Sequence, residues 1–189
     1  MISAQIKRDL QNASWIRAMF EEGERLRGIH GADQVFDFSL GNPDYEPPAA
    51  VGETLKKLVV EDTPGLHRYT SNAGYMDVRE KIAARLVEES GLSLTGQHII
   101  MTCGAAGGLN VVLKTILNPG DEVILLAPYF VEYHFYVNNH GGKAVVVPTG
   151  KDFLPDPDLL AESITPKTRA IIINSPNNPT GVVYSRQTL

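Results

Sequence analysis

The sequence has little of what marks several specialised classes. Cys103 is the one cysteine in 189 residues, so no internal disulfide framework and no thiolate metal centre can be built. Positive charge is not in excess: 17 Lys and Arg stand against 22 Asp and Glu, a net charge of −5 without a basic cluster. Nucleic acid is therefore not an expected partner. The apolar runs fall well short of the roughly 20 residues needed to span a membrane. The start, Met-Ile-Ser-Ala-Gln-Ile-Lys-Arg-Asp-Leu, has no apolar core behind its basic pair and does not read as a secretory signal. His30, His67, His98, His134 and His140 are dispersed, with no metal-ligand spacing. No serine stands in a G-x-S-x-G elbow. These absences leave a cytoplasmic, soluble protein with no metal, membrane or nucleic-acid partner as the expectation.

What is present is ordinary globular material. Hydrophobic residues make up 43% and charged residues 21%, enough for a real core. Helical periodicity is expected over 14–27, 51–60, 76–89 (with Val78, Ile82 and Leu86 on one face), 105–117, 130–138 and 157–163. Apolar or alternating runs predict strands at 35–40, 98–102, 122–126, 144–147 and 170–173. Strand and helix alternate along most of the chain. The predicted fold is α/β, a mostly parallel sheet with helices on both faces. The direction-changing break near Pro47 divides residues 1–47 from 48–189. Ser185 reads as the N-cap at the start of a further helix.

Asn-Ser-Pro-Asn-Asn-Pro-Thr-Gly at 174–181 directly follows the aliphatic run Ala-Ile-Ile-Ile at 170–173. Loops at the carboxyl ends of parallel strands are where open α/β sheets bind ligands. Asn, Pro and Gly are also turn formers, so the residues alone fit either a ligand loop or an ordinary strand-ending turn. Thr-Cys-Gly-Ala-Ala-Gly-Gly-Leu at 102–109 joins a strand to a helix through residues with almost no side chain. Such a helix N-terminus can cradle a phosphate. Tight helix–sheet packing is the simpler reading of that turn taken by itself. Phe130 opens the helix after the next strand, where its ring is either core or a stacking surface for a planar heterocycle. Tyr129, Tyr133 and Tyr136 read as core or pocket wall.

Asn-Ser-Pro-x-Asn-Pro-Thr-Gly resembles the signature loop of the class I and II aminotransferases, the fold-type-I enzymes that use pyridoxal 5′-phosphate (PLP). Segments around Gly41 (Gly-Asn-Pro-Asp-Tyr), Tyr69, Gly104 and Phe130 resemble the family's in the same order. The resemblance implies that residues 1–47 form an N-terminal arm and part of a small domain, and that 48–189 form the first half of the large, PLP-binding domain. It implies that Gly104, Ala105 and Ala106 hold the cofactor phosphate. Phe130 would stack on the cofactor ring and Asn178 would donate to its phenolic oxygen. Gly41 would offer its main-chain N–H to the substrate α-carboxylate. Tyr69 would reach the PLP phosphate of a partner subunit, so a homodimer is expected. Many relatives carry Ser, Thr or Lys where Ala106 stands, so one side-chain contact to phosphate is missing.

The implied activity is transfer of an amino group from an amino acid to a 2-oxo acid. The family's Ser-x-Ser-Lys segment, whose lysine anchors PLP as a Schiff base, lies well beyond its Asn-Pro-Thr-Gly loop. Lys56, Lys57, Lys81, Lys114, Lys143, Lys151 and Lys167 stand in unlike contexts. The chain is thus expected to correspond to the first half of a family member, catalytically incomplete alone, with apolar surface exposed where further chain would pack. The alternatives are a non-catalytic module that binds PLP or dimerises, another fold-type-I enzyme such as a C–S lyase, and a nucleotide-binding domain built on the Gly104 turn. The last lacks an acidic ribose partner in a matching context.

Overall fold

The computed structural model describes residues 2–4, 6, 7, 14–38, 41 and 45–189. They form two compact units, Met1–Arg68 and Tyr69–Leu189.

In the first unit, helix α1 (Ser14–His30) runs past Gly28. Glycine lowers helix stability without forbidding the conformation, and Arg27 and His30 in the last turn suit the negative end of the helix dipole. A 3-10 turn at Ala32–Gln34 follows. The strand expected over 35–40 is not formed among its described residues, 35–38. Its alternation is real, but among the described residues no neighbouring strand exchanges N–H and C=O groups with it. Instead the Asp37 carboxylate meets Arg27 of α1 at 3.4 Å. Ser39 and Leu40, and residues 42–44 of the loop beyond, lie outside the described residues. Helix α2 (Ala49–Glu61) starts directly after Pro48 and ends on Asp62 in the left-handed conformation.

The second unit opens with helix α3 (Met76–Ser90), closed by Gly91. Its buried positions are Arg79 and Ala83, one residue round from the expected face; Val78 and Leu86 remain 38% and 37% exposed. The reason is the segment packed on it. A 3-10 turn, Gly96–His98, brings residues 99–102 alongside the helix, and Arg79 Nε donates to the Ile99 carbonyl at 2.7 Å. Residues 98–102 were expected to be a strand. Residues 99–102 join no ladder, because their backbone groups are taken by Arg79 and by Ala73, whose carbonyl accepts the Met101 N–H at 2.9 Å.

Helix α4 (Gly104–Ile116) leads through a turn to β1 (Glu122–Ala127). Helix α5 (Glu132–Asn139), β2 (Lys143–Pro148), α6 (Pro157–Ser163) and β3 (Thr168–Ile172) follow. The three strands form a parallel sheet in the order β2-β1-β3. β1 is central and buried along nearly its whole length, which is why it reads as an unbroken aliphatic run. Its side chains alternate between two cores. Val123 and Leu125 pack with Leu113 of α4 and Val137 of α5. Ile124 and Leu126 face the other way, onto Val147, Tyr184 and Leu160 of α6. Helices therefore cover both faces of the sheet. At the amino edge, Asp121 meets Arg169 at 3.1 Å, and Glu122 accepts from Lys143 at 3.1 Å and from Thr165 at 2.7 Å. These bonds tie β1 to both neighbours. Ser185 caps a final turn, its Oγ accepting the Thr188 N–H at 3.1 Å.

Candidate active site

The strand order decides where a ligand can sit. The chain leaves β1, crosses through α5 to β2 on one side, then returns through α6 to β3 on the other side of β1. The two crossovers lie on opposite faces, so the chain reverses direction at β1. Such a switch point opens a crevice outside the carboxyl ends of the strands. The loops leaving β1 and β3, which carry Phe130 and Asn178, both emerge at that edge.

The Gly104 turn reaches the same edge by geometry. α4 connects to β1 through a short turn and packs Leu113 against Val123 and Leu125, so it runs antiparallel to the strand. Its 13 residues span about 20 Å, and the six residues of β1 also span about 20 Å. The start of α4 thus lies level with the carboxyl end of β1.

That start is open and polar in its backbone. Gly104 has φ +70°, a left-handed conformation that favours glycine, and a Cβ there would meet nothing within 4 Å. Its N–H donates to the Thr102 carbonyl at 3.0 Å, while Thr102 Oγ1 donates to the Gly104 carbonyl at 2.9 Å. Thr102 therefore clasps the turn. No side chain caps the helix, which leaves the N–H groups of Ala105 and Ala106 free of intrahelical partners. All three residues, 104–106, are exposed.

Phe130 is 37% exposed and meets Tyr133 edge to face, with ring centroids 5.6 Å apart. Burial raises the phenol pKa of Tyr129 and of Tyr133. It does so at Tyr136 as well, with a further push from the Glu132 charge.

The loop after β3 is internally braced. Asn177 is buried; its N–H donates to Val182 O at 2.9 Å and its carbonyl accepts the Gly181 N–H at 2.7 Å. Asn177 Oδ1 accepts from the Thr180 hydroxyl at 3.1 Å and the Thr180 N–H at 3.3 Å. The Tyr184 N–H donates to Ser175 Oγ at 2.8 Å. Asn178 is exposed, and its N–H donates to Asn174 Oδ1 at 2.8 Å. Sequence reasoning singled out Asn178 and passed over Asn174, which bonds its N–H, and Asn177, which braces the rest of the loop. The signal was there in the asparagines at both ends of Asn-x-x-x-Asn, but an exposed donor and a buried brace look alike in sequence.

Tyr69 is fully exposed at the start of the second unit. Gly41, also exposed, belongs to the first unit, and a Cβ there would meet nothing within 4 Å.

The description "Aminotransferase class I and II" matches residues 33–189. A probable aspartate/prephenate aminotransferase of Thermus aquaticus is 42% identical over 161 residues, 84% of this chain and 41% of that protein. A bifunctional aspartate aminotransferase and glutamate/aspartate-prephenate aminotransferase of Petunia hybrida is 40% identical over 82% of this chain and 32% of its own length. Among solved structures, an amino transferase from Eubacterium rectale superposes with a TM-score of 0.91 at 40% identity, covering all of this chain and 48% of that one. Thermus thermophilus aspartate aminotransferase with maleate gives 0.79 at 36% identity, covering 92% and 44%. The chain belongs to the class I and II aminotransferase family, and it spans about two fifths of the length of the Thermus relatives it matches. No helix among the described residues is long and apolar enough to cross a membrane.

The family's cofactor is PLP, and the residues present fit it. A phosphate needs convergent donors without bulk, which Ala105 and Ala106 N–H supply beside a glycine with open space around it. A pyridine ring needs a flat, partly exposed neighbour, which Phe130 is. A phenolic oxygen needs a donor, and the exposed Asn178 carboxamide makes no hydrogen bond among the described residues.

Proposed function

We propose that this chain is the cofactor-binding part of a PLP-dependent aminotransferase that moves an amino group from an amino acid to a 2-oxo acid. The observation that carries the reading is that the loops after β1 and β3, which bear Phe130 and Asn178, leave the sheet at one carboxyl edge, at its switch point. Ala105 and Ala106 N–H hold the phosphate, with Gly104 shaping the turn. Phe130 lies against the ring, and Asn178 donates to the phenolic oxygen. PLP supplies the electron sink that stabilises charge at the amino-acid α-carbon. The residues named here bind and orient; the lysine that the chemistry requires belongs to sequence unlike any lysine context in residues 1–189.

Gly41 N–H takes the substrate α-carboxylate, where the absence of a side chain lets substrate approach the main chain. Tyr69 serves the phosphate of a partner subunit in a homodimer, which accounts for a fully exposed tyrosine next to small polar residues. Residues 1–47 form an arm and part of a small domain, and residues 48–189 belong to the PLP domain. The protein works in the cytoplasm. The names of the relatives make aspartate the first donor to test.

Borohydride reduction with PLP tests the reading. The 20.6 kDa chain should retain PLP on dialysis and carry no covalent adduct, whereas the full-length polypeptide should carry one and consume aspartate with a 2-oxo acid. A stoichiometric adduct on the 189-residue chain, or no PLP retained by it, would contradict the assignment.

A further inference from the structure

We propose that Asn174 is the positioning residue of the site, its carboxamide oxygen aiming Asn178. The inference rests on the reading above, in which Asn178 faces PLP.

Asn178 is exposed, and its own carboxamide makes no hydrogen bond among the described residues. Its direction is set by its backbone. The braces around Asn177 and Ser175 close the later part of the loop, through Thr180, Gly181, Val182 and Tyr184. Among the described residues, the bond that ties the Asn178 backbone back towards the sheet is its N–H to Asn174 Oδ1, at 2.8 Å. Asn174 stands two residues beyond the end of β3, so its frame is the sheet itself. A carboxamide oxygen four residues back thus converts the rigidity of β3 into a fixed Cα–Cβ direction at Asn178. Pre-set donors hold a ligand more tightly because less ordering remains to be done on binding.

The chemistry separates two substitutions. Asn174→Asp keeps the acceptor oxygen in place, while Asn174→Ala removes it. In the 189-residue chain, Asn174→Ala should speed hydrogen exchange of the Asn178 amide and weaken PLP binding, each by about five- to tenfold, the range for loss of one hydrogen bond. Asn174→Asp should restore both. In an Asn178→Ala background, Asn174→Ala should weaken PLP binding no further, which a merely structural role would not produce.

Unchanged exchange at Asn178, an undiminished loss of PLP affinity in the Asn178→Ala background, or failure of Asn174→Asp to restore binding in a folded chain would each overturn the inference. If Asn178→Ala binds PLP as tightly as the unsubstituted chain, the placement of Asn178 fails and the inference falls with it. If Asn178→Ala weakens binding and Asn174→Ala does not, the inference alone fails.

Discussion

Arg79 is buried, and its Nε donates to the Ile99 carbonyl at 2.7 Å, linking α3 to the extended segment that precedes the Gly104 turn. An arginine thus lies on the buried face of α3, one residue round from the aliphatic face that the sequence pattern predicts. It does what an aliphatic cannot, which is satisfy a carbonyl in a segment that belongs to no sheet.

Removing that donor should be costly. Arg79→Ala is expected to lower stability by about 1.5–3 kcal/mol, the range for a hydrogen bond from a charged group with its acceptor left unpaired. Arg79→Lys should not recover it, because a flexible point charge does not reproduce the guanidinium fork. Urea unfolding measures both, and a change under about 0.5 kcal/mol, the range of neutral surface substitutions, would contradict this role.

Gly74 tests the same contact from the other side. Its φ is +97°, and a Cβ there would lie 2.5 Å from Met101 Cγ and 2.9 Å from Met101 Cβ. Gly74→Ala should cost about 1–3 kcal/mol through strain and overpacking. Adding Met101→Ala should relieve the clash but leave the backbone strain, so a partial recovery is expected in thermal melts. Full recovery would show that the conformation itself carries no cost.

Leu113 joins α4 to β1 and α5 through Val123, Leu125 and Val137, and is 2% exposed. Leu113→Ala should destabilise the second unit by about 2–5 kcal/mol. Since α4 carries the Gly104 turn at its start, PLP affinity should fall at temperatures where the unit begins to open and hold where it stays folded. Calorimetry with and without PLP separates the two effects.

The acid limit of stability follows from the amino edge of the sheet. The Asn118 N–H, with Arg169 beside it, holds the Asp121 carboxyl below its ordinary value of 3.8. The Thr165 hydroxyl, then Lys143, holds Glu122 below 4.5. Both groups are more acidic folded than unfolded, so the unfolded chain takes up protons first as pH falls. Their contribution is complete above about pH 4.5 and is lost on acidification through their lower folded values. Urea midpoints should hold from neutral pH to about 5 and then decline. Asp121→Asn and Glu122→Gln should each make that decline shallower. A stability that rises on acidification would contradict the assignment.

The parts of the fold legible in the sequence are those where local pattern and tertiary demand coincide. β1 is a continuous aliphatic run because both its faces are covered. α6 lies where periodicity predicts it, over 157–163, and Asp156 caps it by accepting the Asp158 and Leu159 N–H groups. Illegible were the places where a pattern meets no partner. Residues 35–38 and 99–102 have strand composition but pair with no strand among the described residues, and composition does not say which neighbour is present. The candidate site divides in the same way. Phe130 and Asn178 stand out because their loops follow strands, and Gly104 because its small-residue turn opens a helix; all three segments resemble a known signature. Thr102, Asn174 and Asn177 were not, since their roles are hydrogen bonds to backbone a few residues away, which many loop residues could equally make.

The central claim is that Ala105, Ala106, Phe130 and Asn178 surround one ligand. Titrating the isotopically labelled chain with PLP, and following every backbone amide by NMR, tests it most directly. Saturable shifts concentrated at residues 104–106, 130 and 178, lost together when excess inorganic phosphate is added, are the predicted result. Shifts confined to other parts of the chain, or at one of these segments without the others, would contradict it.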